Sequence, residues 1–134
     1  MEKIILEWQG GTDFSLADGV PFESLSPKEL MLLSLGLCAG KTVASLITKM
    51  RLHVTSLHVE TDGVLEDGEH PAQSAFSQFS LNFVVEDPDQ AEHHKIAGAV
   101  MMAHTKYCGV TLMMKKIAPV KVKLFVNGRE ITAM

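Results

Sequence analysis

The sequence predicts an α+β domain in which an antiparallel sheet packs against two long helices. Segments with strand periodicity and segments with helix periodicity come in groups, without strict βαβ alternation. A well-capped helix start at Ser26 leads into a long apolar run. The 134 residues, 46% hydrophobic and 21% charged, are typical of one globular domain, residues 1–134.

The first two predicted strands are short and lie close together. Residues 2–8 place apolar side chains at every second position, and Gly10-Gly11 favours a turn after them. Residues 14–16 predict the second strand, which Ala17-Asp18-Gly19 ends with another turn. A short connection of this kind favours antiparallel pairing.

The strongest helix prediction begins at Ser26. Ser26 is a good N-cap, Pro27 suits the first helical position, and Glu29 completes a capping box. We expect this helix to continue to about Met50. Its first half, residues 30–40, is apolar almost all round, as in a helix buried on every side, so a second subunit is expected to cover part of it. Four small residues would permit close approach: Ser34, Gly36, Ala39 and Gly40.

Three further strands are predicted from alternating apolar side chains. Residues 56–65 and 76–85 flank a polar loop over residues 66–73, which contains Gly68 and Pro71. Residues 120–126 alternate clearly as the last strand, and Asn127-Gly128 turns the chain after it.

Two helices are predicted between the fourth strand and the last. Asp87-Pro88-Asp89 favours a helix start, followed by a helix over about residues 90–106. A short helix over residues 109–117 follows, and Pro119 stops it.

Charge and hydropathy argue against several classes of partner. The net charge of -4, with no basic and aromatic residues interleaved, does not suit a nucleic-acid-binding protein. The N-terminal segment lacks the pattern of a signal peptide. The apolar run ends at Lys41, short of the ~18 residues of a membrane span. We therefore expect a soluble cytoplasmic protein, whose two cysteines, 70 positions apart, form no permanent structural disulfide.

The two cysteines are the candidate site of chemistry. Cys38 lies mid-helix in an apolar run, where free cysteine is often a small buried hydrophobe; to react, it would need a nearby cation or a pocket opening. Cys108 precedes the short third helix, whose free N–H groups would favour a thiolate. The alternative for Cys108 is a capping residue without chemistry.

The histidines do not predict a metal site. The sequence contains no Cys-x2-Cys and no His-Glu-x-x-His spacing. His93 and His94 are adjacent, so their side chains would diverge by ~100° around a helix. His104, four residues before Cys108, could face that thiol or pack in the core.

A serine triad, a phosphate loop and a Gly-x-Gly-x-x-Gly run are missing, so no cofactor is expected. The eight methionines are expected to fill a core or a greasy pocket.

The segments around both cysteines resemble a known family. Ser26-Pro27-Lys28-Glu29-Leu30, followed by an apolar helix that ends in Leu37-Cys38, is similar to the first cysteine motif of the OsmC/Ohr family. Tyr107-Cys108-Gly109-Val110 before a short helix is similar to the second. The order of elements matches as well, so the resemblance covers nearly the whole chain. It implies the α+β OsmC-like fold and an intertwined homodimer with the cysteines at the interface.

The resemblance also implies an activity. The better-known members are thiol-dependent peroxidases that reduce organic hydroperoxides in oxidative-stress defence. By position, Cys38 would be the peroxidatic thiol, which becomes a sulfenic acid, and Cys108 the resolving thiol, which condenses with it to a disulfide. A dithiol reductant and a small hydrophobic peroxide would then be the partners.

The sequence departs from the peroxidase members beside the first cysteine. Those members have an arginine in the N-terminal strands and a glutamate directly after the proline. Here the first arginine is Arg51, Lys28 follows the proline, and Glu29 comes one place later. Glu29 precedes Cys38 by nine residues, or ~13.5 Å on one helix, so it would reach a thiol only across a dimer.

A cation would have to replace the missing arginine. Lys41, three residues after Cys38, has the most suitable spacing, with Lys28 and Arg51 as further candidates and a surface charge as the alternative role of each. The run Cys-Gly-Val-Thr also stands where the family has Cys-Pro-Val-Ser. These departures keep a second hypothesis open, a non-catalytic dimer of the same fold that senses redox state or binds a small hydrophobic ligand.

Overall fold

The computed structural model describes residues 2–69 and 73–131, and shows a six-stranded sheet with helices packed on one face. The strands are β1 (Glu2–Trp8), β2 (Phe14–Leu16), β3 (Ser56–Glu66), β4 (Ala75–Glu86), β5 (Val120–Val126) and β6 (Arg129–Ile131). The helices are α1 (Pro27–Lys49), α2 (His93–Met102) and α3 (Gly109–Met114). Pro71, in the predicted polar loop, lies outside the described residues.

The strand order is β2-β1-β3-β4-β5-β6, and the sheet is mixed. All neighbours pair antiparallel except β4 and β5, which run parallel from Phe79↔Val120 to Val85↔Val126. The prediction of an antiparallel sheet was therefore wrong at this pair. The long connection through α2 and α3 returns the chain to the starting end of β4, and such a crossover produces a parallel neighbour.

β6 was not predicted. It follows the turn at Asn127 and Gly128, both with positive φ, and pairs antiparallel with β5. Residues 129–131 contain two charged side chains and one apolar side chain, so only the turn signalled a change of direction.

The core lies between the sheet and α1, as the alternation predicted. Inward positions of β3 and β4 are almost fully buried, and so is one side of α1. These residues are Leu57, Val59, Phe79, Leu81, Phe83, Leu32, Leu35 and Val43.

The capping box at the start of α1 is confirmed. The backbone N–H of Glu29 donates to Ser26 Oγ at 3.2 Å, and the Ser26 N–H donates to Glu29 Oε1 at 2.9 Å. The single chain leaves part of α1 uncovered, because Leu30 is 42% exposed and Ser34 is also exposed. The expectation that a second subunit covers this part of the helix stays a prediction.

The small residues of α1 face the chain's own sheet. A Cβ on Gly36 would overlap Thr61 Oγ1, and a Cβ on Gly40 would lie 3.0 Å from Phe14 and 3.1 Å from Val59. The prediction that small residues admit a second subunit is therefore wrong for Gly36 and Gly40. Their lack of a side chain lets α1 pack directly on β1 and β3.

The second helical segment changes pitch along its length. A 3₁₀ turn over Gln90–Glu92 leads into α2, and a π-helical turn over Ala103–Tyr107 continues it. The backbone N–H of Cys108 donates to Ala103 O at 2.9 Å, which closes the wide turn. α3 then ends at Met114, three residues before the predicted end. π turns of this kind occur frequently at functional sites.

By length and composition alone, α1 could cross a membrane, and it is the one such helix in the described residues. Half of its apolar window is buried within the chain, as happens in the core helix of a soluble domain.

Candidate functional site

Cys38 lies in the middle of α1, as predicted, and its side chain is half-buried at the edge of the core. Its backbone carbonyl accepts a hydrogen bond from Thr42 Oγ1 at 2.8 Å. The position follows from the helix period, because the inward positions Leu35 and Ala39 are buried while Cys38 turns away from the sheet. Cys38 is therefore partly exposed and is the less buried of the two cysteines.

Cys108 is the N-cap of α3, as predicted, and is fully buried. The π turn before it and α3 after it fix its position. The backbone N–H of Thr111 donates to Cys108 Sγ at 3.4 Å, so the sulfur occupies the place of a capping oxygen.

The fold brings the two cysteines together. α1 packs against both α3 and the π turn, and Cys38 is close enough to Cys108 to contribute to the raised pKa of that thiol. Residues 70 positions apart in sequence thus form one thiol pair. One sulfur of the pair is half-exposed and the other is enclosed.

The electrostatics of Cys108 differ from the prediction. Burial is the largest effect and raises the pKa of the Cys108 thiol; the hydrogen bonds from Thr111 lower the pKa, and Cys38 raises it again. The expected stabilisation of a thiolate at the helix N-terminus was therefore wrong in its net direction. The Thr111 donors are present. However, excluding water from around the sulfur destabilises the thiolate more than those hydrogen bonds stabilise it. Cys108 is consequently a protonated thiol at neutral pH.

Lys41 and Glu29, which were proposed to assist Cys38, are engaged elsewhere within the chain. Lys41 Nζ donates to Thr12 O at 2.6 Å, in the turn between β1 and β2. The Glu29 carboxylate belongs to the capping box. Arg51 is exposed, in the left-handed region at φ 56° just after α1. A role for Lys41 or Glu29 at the thiol stays a prediction.

His104 lies within the π turn. Burial is the main cause that lowers its pKa, and Lys115 lowers it further. Its backbone carbonyl accepts from Lys115 Nζ at 2.8 Å, while its Nδ1 is buried with no hydrogen-bond partner in the described part of the chain. The imidazole is therefore neutral at physiological pH.

A groove of about 530 Å³ begins one turn beyond Cys38 along α1. It runs between the second half of α1 and the end of the α2 segment. Its lining combines two ammonium groups and three hydroxyls with apolar surface: Lys41, Thr42, Ser45, Leu46, Lys49, Met102 and Tyr107. The groove beside the thiols is thus amphipathic, whereas the methionine content had suggested a greasy pocket.

Relatives with known sequence include Protein YhfA of Escherichia coli strain K12. The two are 31% identical over 91 residues, which is 68% of this chain and 65% of the length of that protein. The match therefore leaves about a third of the curated relative outside the comparison.

Solved structures share the fold. A hypothetical protein from Aquifex aeolicus VF5 superposes with a TM-score of 0.68 at 24% identity, covering 95% of this chain and 98% of that one. An OsmC-like hydroperoxide resistance protein from Jannaschia sp. CCS1 superposes with a TM-score of 0.63 at 15% identity, covering 98% and 96%.

The family assignment rests on the sequence. The sequence model of the family described as OsmC-like protein matches residues 20–123, a range that contains both thiols, the capping box and the whole crossover. The chain therefore belongs to the OsmC-like protein family.

Proposed function

We propose that the protein is a thiol-dependent peroxidase for organic hydroperoxides, with Cys38 as the peroxidatic and Cys108 as the resolving thiol. The observation that carries the proposal is the pair itself, in which a half-exposed thiol adjoins an enclosed one. A structural neighbour is named as a hydroperoxide resistance protein, which supports the choice of substrate class.

The reaction balances with two thiols and an external dithiol. The Cys38 thiolate attacks the terminal peroxide oxygen, the O–O bond breaks, and the alkoxide takes a proton to leave as an alcohol. The resulting sulfenic acid condenses with the Cys108 thiol, forming a disulfide and releasing water. A dithiol then reduces the disulfide by exchange and is itself oxidised.

The burial of the two sulfurs suits these roles. The attacking thiol must meet the peroxide, and Cys38 is the accessible one. The resolving thiol acts only after oxidation, and Cys108 is enclosed next to Cys38, where it holds its proton until then. The groove beyond Cys38 offers apolar surface for an alkyl chain and polar groups for its other end.

A peroxide-consumption assay tests the proposal. Reduced protein is mixed with cumene hydroperoxide and a dithiol, and peroxide loss is followed for the native chain and for Cys38→Ser. The native chain should consume peroxide catalytically, while Cys38→Ser should fall to the rate without protein. A native rate no better than that of Cys38→Ser would rule out the peroxidase.

Cys108→Ser separates the two thiol roles. It should react with one equivalent of peroxide and keep a sulfenic acid that dimedone traps, but turn over poorly with the dithiol. Full turnover by Cys108→Ser would remove Cys108 from the cycle.

The proposed assembly is a homodimer. Large apolar side chains on the helical side of the chain are exposed, including Tyr107 at 60% and Met113 at 61%. The same side carries the exposed face of α1. A second copy covering this surface would bring its own charged residues, Glu29 included, towards Cys38. We place the protein in the cytoplasm, where a dithiol reductant is available.

One observation favours a second candidate function. Lys41, the best-placed cation, is held by Thr12 O, so a fast peroxidatic thiolate would need a cation from a second copy. A non-catalytic dimer that senses redox state or binds a small hydrophobic ligand needs no such cation. Slow stoichiometric oxidation to a disulfide, without turnover, would support this candidate against the peroxidase.

A further inference from the structure

A cluster of ionisable side chains lies away from the thiols, where the loop after α1 meets the loop after β4. Cys38 lies eleven residues, or about 16.5 Å, before the end of α1 at Lys49. His53 belongs to the first loop, and Asp87, Asp89 and Glu92 belong to the second and to the 3₁₀ turn that follows it. Neither the family motifs nor the proposed peroxidase uses these residues.

Three of these side chains present donor atoms to a common point. One ligand atom each from His53, Asp89 and Glu92 lies within 4.8 Å of the others. His53 Nδ1 is 2.8 Å from Glu92 Oε2, and the His53 backbone N–H donates to Glu92 Oε1 at 2.7 Å. In a tetrahedral zinc site with ~2.1 Å bonds the ligand atoms are about 3.4 Å apart, so small side-chain movements suffice.

Asp87 supplies an independent observation. It is fully buried, and its Oδ2 has no hydrogen-bond partner among the described residues. The Asp87 carboxyl adjoins the carboxylate of Glu92, which is itself only 7% exposed. A buried carboxylate oxygen that lacks a donor and lies beside a second carboxylate is a position where a cation is favoured.

The surrounding backbone holds this arrangement in place. Asn127 Oδ1 accepts from the Asp87 N–H at 2.9 Å, and Asn127 Nδ2 donates to Asp87 O at 2.8 Å. Asp87 Oδ1 accepts from the Asp89 N–H at 2.9 Å. The β5–β6 turn thus fixes the backbone of Asp87, and the backbone N–H of His53 holds the Glu92 carboxylate in place. Ligands that the backbone already positions are suited to capturing an ion.

We propose that His53, Asp89 and Glu92 bind a zinc ion, with the buried Asp87 carboxyl oriented against Glu92 behind them. One imidazole nitrogen and carboxylate oxygens are ligands that zinc accepts, and zinc lies high in the affinity order of divalent metals. Zinc would replace the proton that His53 Nδ1 shares with Glu92. Three protein ligands leave one coordination position for water.

The binding test removes the thiols, because cysteine also binds zinc. A Cys38→Ser/Cys108→Ala chain is titrated with zinc chloride against a chromophoric chelator. It should bind one zinc per chain, and His53→Ala and Asp89→Asn in the same background should each weaken binding at least tenfold. Asp87→Asn should weaken it ten- to hundredfold through Glu92.

His58→Ala is the matched control. His58 also faces a carboxylate, that of Glu7 at 3.9 Å, but outside the three-donor cluster. This variant should bind zinc like its parent. Circular dichroism of each variant without metal separates lost ligands from lost folding.

Three results would overturn the proposal. They are no saturable binding by the parent, equal binding by folded His53→Ala, and equal binding of magnesium, which prefers oxygen ligands alone. Any of these results would indicate that the cluster is not a zinc site and that the carboxyl groups of Asp87 and Glu92 share only a proton. The test is independent of peroxide turnover, so failure of either proposal is recognised separately.

Discussion

At the scale of single residues, the two thiols have different environments. Thr111 donates to Cys108 and favours its thiolate, yet burial outweighs the donors and raises the pKa. The sequence could predict the capping position because the short helix begins directly after Cys108. It could not predict the sign of the pKa shift, because the residues that exclude water come from α1, distant in sequence.

We expect the thiols to differ in alkylation. Iodoacetamide reacts with the thiolate, so reduced native protein should be labelled at the half-exposed Cys38 well before Cys108. Labelling of Cys108 should accelerate only as the pH rises beyond the ordinary thiol value of 9.0. Mass spectrometry of the two peptides over time measures both rates.

Denatured protein provides the reference for this experiment. In urea the burial of Cys108 is lost, and the two labelling rates should converge. Faster labelling of Cys108 than of Cys38 in the native chain would show that Cys108 is not the more buried thiol in solution.

At the scale of elements, the contact between α1 and β3 depends on glycine. Gly36 lies against Thr61, whose hydroxyl is buried without a partner among the described residues. Alternation and capping signals were enough to predict α1 and the first five strands. They carried no information on strand direction or on which helix face meets the sheet, since both depend on long-range packing.

Gly36→Ala should destabilise the fold by about 1–3 kcal/mol, because the added methyl group meets Thr61 in a packed core. Gly98→Ala is the matched control in α2, where an added Cβ has no neighbour within 4 Å among the described residues. That change should stabilise the chain by up to ~1 kcal/mol through helix propensity. Urea unfolding measures both.

The two glycine variants share the same chemical change. If Gly36→Ala were as stable as the native chain, the close approach of α1 to β3 would be wrong. Helix propensity acts equally at both positions, so any difference between them reports packing.

At the scale of the whole molecule, the sheet has one covered and one open face. The covered face carries the helices, and beyond them lie the exposed Met113 and Tyr107. The open face carries Val64, also exposed, within a polar groove that contains Lys121 and Lys123. The proposed dimer uses the helical side, where apolar surface and the accessible thiol occur together.

Met113→Glu should convert the proposed dimer to a monomer, because it introduces a charge into an apolar contact. Val64→Glu adds the same charge at a site on the opposite face, 42% exposed, and should leave the dimer intact. Light scattering coupled to size-exclusion chromatography gives the mass of each. A monomeric native chain, or dissociation by Val64→Glu alone, would contradict the proposed interface.

The parallel pairing of β4 with β5 has a consequence for the thiols. Cys108 is carried by the crossover that this pairing requires, so it reaches Cys38 only when the crossover is docked. In the unfolded chain, 70 residues of flexible polymer dilute one thiol with respect to the other. Folding therefore raises their mutual effective concentration. A disulfide between them would close a loop of that length and stabilise the folded state by roughly 4 kcal/mol. Oxidation of the thiol pair and docking of the crossover therefore favour each other thermodynamically.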